Sequence, residues 1–338
     1  MEVDHTPYYM AIDSHKRHNM LWMTSEPLNN KDCLNFFNES WVCFTDNVKA
    51  HLYVNMTIEP NSDVTLYNCD FQVPWHLHSI SHLDKLPVDA SQYAYGYNRQ
   101  NPNTPVYILD TWIDSSHPEF EGRARIGAVF TSGSGNNGHG THVAGLIGSK
   151  SFGVNKRAQM IGVQVLDDNG FGSWQTILAG MQWVSTQPMG IVSMSIGGSK
   201  SDIVNKLVRS MTRRGWKFVV AAGNDNRDAC QYSPASATEA ITVGAIESSY
   251  TLSGFSNYGP CVDIMAPGGG ILSTWPRGLY AYMSGTSMAT PIVSGIWSLY
   301  PEWTVKDLLR QSNLKTLNPL PAGTPSRLAY SPDTGGLC

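Results

Sequence analysis

The sequence predicts an α/β fold: a mainly parallel sheet with helices on both faces, preceded by a small α+β domain. Three observations point there. After Pro102, short β-branched apolar runs alternate with amphipathic stretches of helical period. The runs are apolar at consecutive positions, which suits strands covered on both faces. Ahead of residue 70 there is no glycine, and the pattern changes between residues 70 and 105. That shift divides the chain into domains 1–68 and 69–338.

In the first domain PYYMAI reads as a strand, followed by a polar helix, strand SWVCF, helix DNVKAHLYVN and strand TIEP. Residues 83–104, polar and containing NRQNPNTP, read as a surface connection. VYILD, RIGAVF, MIGVQVL, GIVSMSI, KFVVAA and AITVGA then follow as strands, with TILAGMQWVS and SDIVNKLVRSMTRR as helices among them. This alternation places helices against a parallel sheet. Ligands bind such sheets at the carboxyl ends of the strands.

Composition narrows the function. With 338 residues the chain can bury a large core without metals or disulfides. Apolar residues make up 41% and charged residues 15%, which excludes disorder and a coiled coil. A net charge of −4 offers no footprint for nucleic acid. No apolar run reaches the roughly 18–20 residues of a membrane span. The opening MEVDHTPYYMAIDSHKR has no basic-then-apolar signal segment, so either the chain is not exported or a signal precedes it. The six cysteines are widely spaced and show no zinc-finger pattern. Asn38 and Asn55 head N-x-[ST] sequons.

The most specific string is Gly285-Thr286-Ser287-Met288-Ala289-Thr290-Pro291, a polar turn running into an apolar helical stretch. Ser287 therefore falls at a helix N-terminus, where unpaired N–H groups favour negative charge. A serine nucleophile generates an oxyanion on attack, so this place presents the Oγ and stabilises the transition state. An ordinary N-cap is the alternative. In Asn137-Gly138-His139-Gly140-Thr141-His142, glycines let another backbone approach His139, a candidate general base. His142 shares its helix face. A metal pair or a structural pair are the alternatives, and no acid lies between Glu121 and Asp167 to assist a metal. Asp110 ends VYILD; a buried strand-end carboxylate can orient an imidazole and stabilise its cation, or simply cap a turn.

Weaker signals point elsewhere. Gly133–Gly138 matches G-x-G-x-x-G, but a dinucleotide site needs an acid about 20 residues later, and residues 122–166 contain none. His76, His78 and His82 lie near Cys69 without a second close ligand pair for zinc; they read as surface histidines. A lipase-type esterase would need G-x-S-x-G around Ser287.

Asp110, His139 and Ser287 occur in the order Asp, His, Ser. With VPW, SHPEFEGRAR, NGHGTHVAG, VQVLDDNGFG, AAGNDN, YSPAS, FSNYGPCVDIMAPG, ILSTW and SGTSMATP, residues 71 to about 330 resemble the subtilisin-like serine proteases, in their proteinase K-like branch. The resemblance implies a secreted, monomeric serine endopeptidase, made as a self-processed zymogen, that hydrolyses polypeptides through an acyl-enzyme on Ser287. It implies His139 as base, Asp110 as its partner and Asn224 as a side-chain oxyanion donor. Asn169-Gly170-Phe171-Gly172 and Ser195-Ile196-Gly197 would clasp an extended peptide. Ala221 and Gly223 would line the first specificity pocket, free of acids and so favouring apolar residues, with Trp174 near the fourth. The chemistry would need no cofactor. A structural calcium ion would be held by Asp263 with the carbonyls of Thr238 and Ala240. Cys230 and Cys261 would form a disulfide, and residues 7–68 would be an inhibitory propeptide cleaved near residues 67–72. Two departures suggest an alternative, a catalytically impaired homologue acting as a protein-binding module. Trp112 stands where relatives usually have Gly, where its indole could crowd the acid or need a positive φ. Ile292 stands where a non-catalytic His is usual.

Overall fold

The computed structural model describes residues 67–338, except 85, 99–101, 134, 314–316, 318–319 and 333–338, together with the backbone of four earlier strands. The chain divides into two compact units, residues 1–65 and 66–338. In the first, Cys33–Phe36, Ser40–Thr45, Met20–Thr24 and Thr57–Pro60 form an antiparallel sheet in that spatial order. SWVCF and TIEP are strands. The segment read as a polar helix instead contributes MLWMT and CLNF as strands, short apolar runs without helical spacing. PYYMAI, DNVKAHLYVN, Asn38 and Asn55 lie outside the described residues.

The second unit is built on a seven-stranded sheet. Its strands are β1 (Pro105–Asp110), β2 (Ala124–Val129), β3 (Gln159–Gln164), β4 (Ile191–Met194), β5 (Lys217–Ala221), β6 (Ile241–Ile246) and β7 (Ile264–Pro267). They lie in the order β7-β6-β5-β4-β1-β3-β2, all parallel. The chain runs outward from β1 to one edge, then crosses back beside β1 and runs to the other. The switch between β1 and β4 opens a crevice at their carboxyl ends.

Among the described residues six helices accompany the sheet: α1 (Trp75–Ser81), α2 (His139–Gly148), α3 (Trp174–Val184), α4 (Asp202–Thr212), α5 (Thr286–Leu299) and α6 (Val305–Gln311). Strand side chains alternate between faces, and the two cores sort accordingly. Val106, Ile108, Val219, Ile241 and Val243 pack with α2 and α5. Tyr107, Leu109, Val192, Met194, Phe218 and Val220 pack with Ile177 and Met181 of α3 and Val208 and Met211 of α4. Each such fully buried aliphatic side chain contributes about 1.5–3 kcal/mol. A Ser173 capping box starts α3, and the Ser201 hydroxyl caps α4.

Three local expectations are corrected. The connection read across residues 83–104 contains a strand, Ala94–Asn98, antiparallel to Tyr67–Phe71. A hairpin, Ile271–Trp275 with Leu279–Met283, was not anticipated. The histidines read as surface residues are largely internal: His76 and His78 are buried. His76 Nε2 donates to the Phe152 carbonyl, and His78 Nδ1 accepts the Ala94 N–H. His82 stacks on His78. His76 and His78 sit on α1; Phe152 meets the first at Nε2 and the strand Ala94–Asn98 covers the second, so backbone groups replace water at these two ring nitrogens. Cys69 is disulfide-bonded, and among the described residues no three His, Cys, Asp or Glu side chains form a metal-holding group.

Candidate active site

The carboxyl end of β1 carries Asp110, fully buried. Its Oδ1 lies 2.7 Å from His139 Nδ1 and also accepts the Thr111 N–H. The Thr111 hydroxyl accepts the Gly140 N–H, fixing the first turn of α2 against the end of β1. Burial works against a charged His139 ring. The Asp110 charge and hydrogen bond outweigh it, so the imidazole pKa is raised above its ordinary 6.5.

Ser287 occupies the first turn of α5, whose N-terminus points into the crevice. Its Oγ donates to the Ser195 carbonyl at 3.1 Å, and the Ser195 hydroxyl donates back to the Ser287 carbonyl at 2.8 Å. The second bond has a covalent origin. Pro291, one turn further along α5, has no N–H with which to take up the Ser287 carbonyl. The Ser195 hydroxyl supplies the missing donor. Acid and imidazole are in contact, and the serine side chain is turned to Ser195 rather than to the imidazole. Such loose geometry is common before substrate binds.

Asn224 follows β5. Its Oδ1 accepts both the N–H and the hydroxyl of Thr286, at 2.8 and 2.9 Å. Because the Thr286 N–H can only donate, the amide orientation is settled, and the NH2 end is left free for the crevice. Thr286 itself was not singled out in the sequence, although it lies inside the GTSMATP string.

Two adjoining cavities share Ser195, Ile196 and Gly197. One, of about 390 Å³, is lined by Ser287, Asn224, Ala221, Gly223 and Asp225. The other, of about 540 Å³, is lined by His139, Gly170, Phe171, Gly172, Trp275 and Met283. Asp225 corrects the expectation of an acid-free wall. It sits beside Asn224 in the AAGNDN string, exposed at the cavity wall. The 169–172 turn is tied by Asp167, whose Oδ1 accepts the N–H groups of Asn169 and Phe171. A Cβ on Gly172 would fall 2.5 Å from the Val165 carbonyl oxygen, so only glycine fits there. Phe171 is exposed. Trp174 packs on the α3 side of the sheet and against Gly198.

His142 is buried. Its Nε2 lies within hydrogen-bonding distance of the carbonyls of Ile271 and Ala281, tying α2 to the hairpin. Burial pushes its pKa down to about 4. Cys230 and Cys261 are joined by a disulfide. Asp263 Oδ2 accepts the Thr242 N–H at 2.8 Å, and burial pushes the carboxyl up to about 6.

The family model for the subtilases matches residues 101–328. The chain belongs to the subtilase family. It is similar to the cuticle-degrading protease of Metarhizium anisopliae, 44% identical over an alignment of 275 residues that covers 76% of this chain and 70% of that protein. Proteinase R of Parengyodontium album is 44% identical over an alignment of 257 residues that covers 74% of this chain and 65% of that one. The crystal structure of a cold adapted subtilisin-like serine proteinase matches with a TM-score of 0.70 and 37% identity, covering 77% of this chain and 98% of the other. This subtilase is a subtilisin-like serine peptidase, a hydrolase acting on polypeptides. The impaired alternative finds no support. Trp112 does not take a positive φ, and its indole lies against Gly135 while Asp110 and His139 touch directly. Ile292 is buried in the core.

Proposed function

We propose that Ser287, His139, Asp110 and Asn224 carry the peptidase chemistry. The observation that supports it best is the 2.7 Å contact of Asp110 with His139 at the end of β1, beside the N-terminus of α5. An extended peptide lies between residues 169–172 and 195–197 as an added strand. Ser287 Oγ rotates from Ser195 to His139 Nε2, gives up its proton there and attacks the scissile carbonyl carbon. Asp110 holds the Nδ1–H tautomer and stabilises the imidazolium. The carbonyl oxygen, now an oxyanion, is held by the Ser287 N–H and the free NH2 end of Asn224. The C–N bond breaks as His139 returns the proton to the departing amine. Water, deprotonated by His139, then hydrolyses the ester and restores the serine.

Residues 7–68 serve as propeptide, and the chain is processed and secreted as a monomer. The Cys230–Cys261 bond is suited to an oxidising compartment. A similar protein from Thermus is described as an extracellular serine proteinase. A calcium ion would suit Asp263 with the Thr238 and Ala240 carbonyls, all hard oxygen donors. It would neutralise a carboxylate that burial otherwise disfavours and would brace the loop before β6.

Titration with a serine-reactive phosphonate tests the nucleophile. One label per native chain, and none on Ser287→Ala, is the expected result. An unlabelled, folded native enzyme would overturn it. N-terminal sequencing of the purified protein tests the propeptide: a new terminus near residues 67–72 is expected.

A further inference from the structure

We infer that Asn257, buried beneath the crevice and touching no substrate, is a positioning residue that sets the place of the Asn224 amide. The inference rests on the oxyanion role proposed for Asn224.

Residues 222–227 carry Asn224 as a loop after β5, and a loop is a poor platform for a group that must be placed to a fraction of an ångström. Asn257 supplies the rigidity. It is fully buried. Its Oδ1 accepts the N–H groups of both Asp225 and Arg227 at 3.0 Å. Its Nδ2 donates to the Ala222 carbonyl at 2.9 Å, and its own backbone N–H donates to the Gly223 carbonyl at 2.9 Å. One residue thus binds the loop before and after Asn224, and on both sides of its immediate neighbours. Because the two N–H donors can pair only with an oxygen, the amide orientation is again settled.

Gly223 completes the arrangement. Its φ of +105° lies in the region that favours glycine, and a Cβ there would fall 2.3 Å from Asn257 Nδ2. The missing side chain is the space the Asn257 amide fills. Nearby backbone bonds, Asn226 N–H to Phe255 and Tyr258 N–H to Arg227, hold the two segments side by side. They leave the peptide groups at 222, 225 and 227 to the Asn257 side chain. From the front, Thr286 holds Asn224 Oδ1. The oxyanion donor is therefore fixed between α5 and Asn257.

Removing Asn257 need not break the fold, since the backbone pairing persists, but it releases the loop. A small displacement of a transition-state donor costs on the order of 10–100-fold in kcat with little change in KM. The test uses the mature enzyme with Asn257→Ser and Asn257→Asp. The latter keeps both acceptor bonds and turns the Ala222 contact from attractive to repulsive. Each is measured alone and combined with Asn224→Ala, on a peptide anilide and by inhibition with a peptide boronate. The expected result is a loss in kcat and a parallel loss of boronate affinity, both largely absent in the Asn224→Ala background. An equal loss in both backgrounds, or a change in KM alone, overturns the inference. If Asn224→Ala alone costs nothing, the oxyanion reading fails first. If the variants do not accumulate, a crystal structure of the native enzyme with the boronate decides. Asn257 must keep its bonds to 222, 225 and 227 while Asn224 meets the boronate oxygen, and a released Asn257 with Asn224 still in place refutes the assignment.

Discussion

Replacing Asn224 with Asp and with Ala separates the structural task of its amide from the oxyanion task proposed for it. Its Oδ1 holds the buried Thr286 N–H and hydroxyl, while its NH2 end faces the crevice. Alanine removes both. The lost donor lowers kcat by about 10²–10³, or about 3–4 kcal/mol of transition-state stabilisation. The two Thr286 donors lose their acceptor, which costs on the order of 1 kcal/mol of stability because water can reach the exposed Asn224 position. Aspartate keeps the acceptor and adds a negative charge at the N-terminus of α5, where it is favoured. Stability is therefore retained. The second carboxylate oxygen repels the developing oxyanion, so kcat falls at least as far as with alanine. Steady-state kinetics on a peptide anilide and denaturant midpoints read the two effects independently. An aspartate variant with kcat near wild type, or an alanine variant that changes KM and spares kcat, would refute the reasoning.

Further predictions follow from the same geometry. In the proposed mechanism His139 must be neutral to act as base, and its pKa is raised above 6.5. The kcat/KM profile should therefore fall on the acid side through a value above 6.5, and Asp110→Asn should move that limb to lower pH while reducing kcat by about 10⁴. His76 and His142 are buried neutral with pKa values of about 4. Their contribution is present above the ordinary 6.5 and declines as pH falls towards 4. Urea midpoints should show a loss of about 2 kcal/mol per histidine by about pH 5, and His142→Gln should remove its share. Gly172→Ala forces a Cβ towards the Val165 carbonyl oxygen. It should displace the substrate edge and lower kcat/KM by about tenfold or more, read with an extended peptide. Replacing Cys230 and Cys261 by serine opens a link across a sequence separation of 31. It should cost about 3–4 kcal/mol in denaturant unfolding.

What could be read in the chain was local. Six sheet strands declared themselves because buried parallel strands are continuous apolar runs, and VYILD already placed Asp110 at a strand end. β7 was harder to see: IMAP is short and lies inside a loop-like, Gly- and Pro-rich stretch. Asn224 and Ser287 stood in distinctive strings. The groups that hold them came from elsewhere in the chain. Ser195 reaches Ser287 across a gap of 92 residues, and Asn257 reaches Ala222 across 35. No local pattern reports such contacts. His76 and His78 misled for the same reason: polar side chains on a short helix look solvated until a distant strand covers them. Asp225 was overlooked because its place on the cavity wall depends on the loop it sits in.

The interrupted hydrogen-bond ladder at Pro291 gives the enzyme a shared datum. The carbonyl that the proline leaves vacant is taken by the hydroxyl of Ser195, a residue of the same ribbon proposed to grip the substrate. Under that proposal, attacking atom and bound peptide are registered against one short length of backbone. A shift of that ribbon would then carry both together, and the gap across which the bond must form would change little.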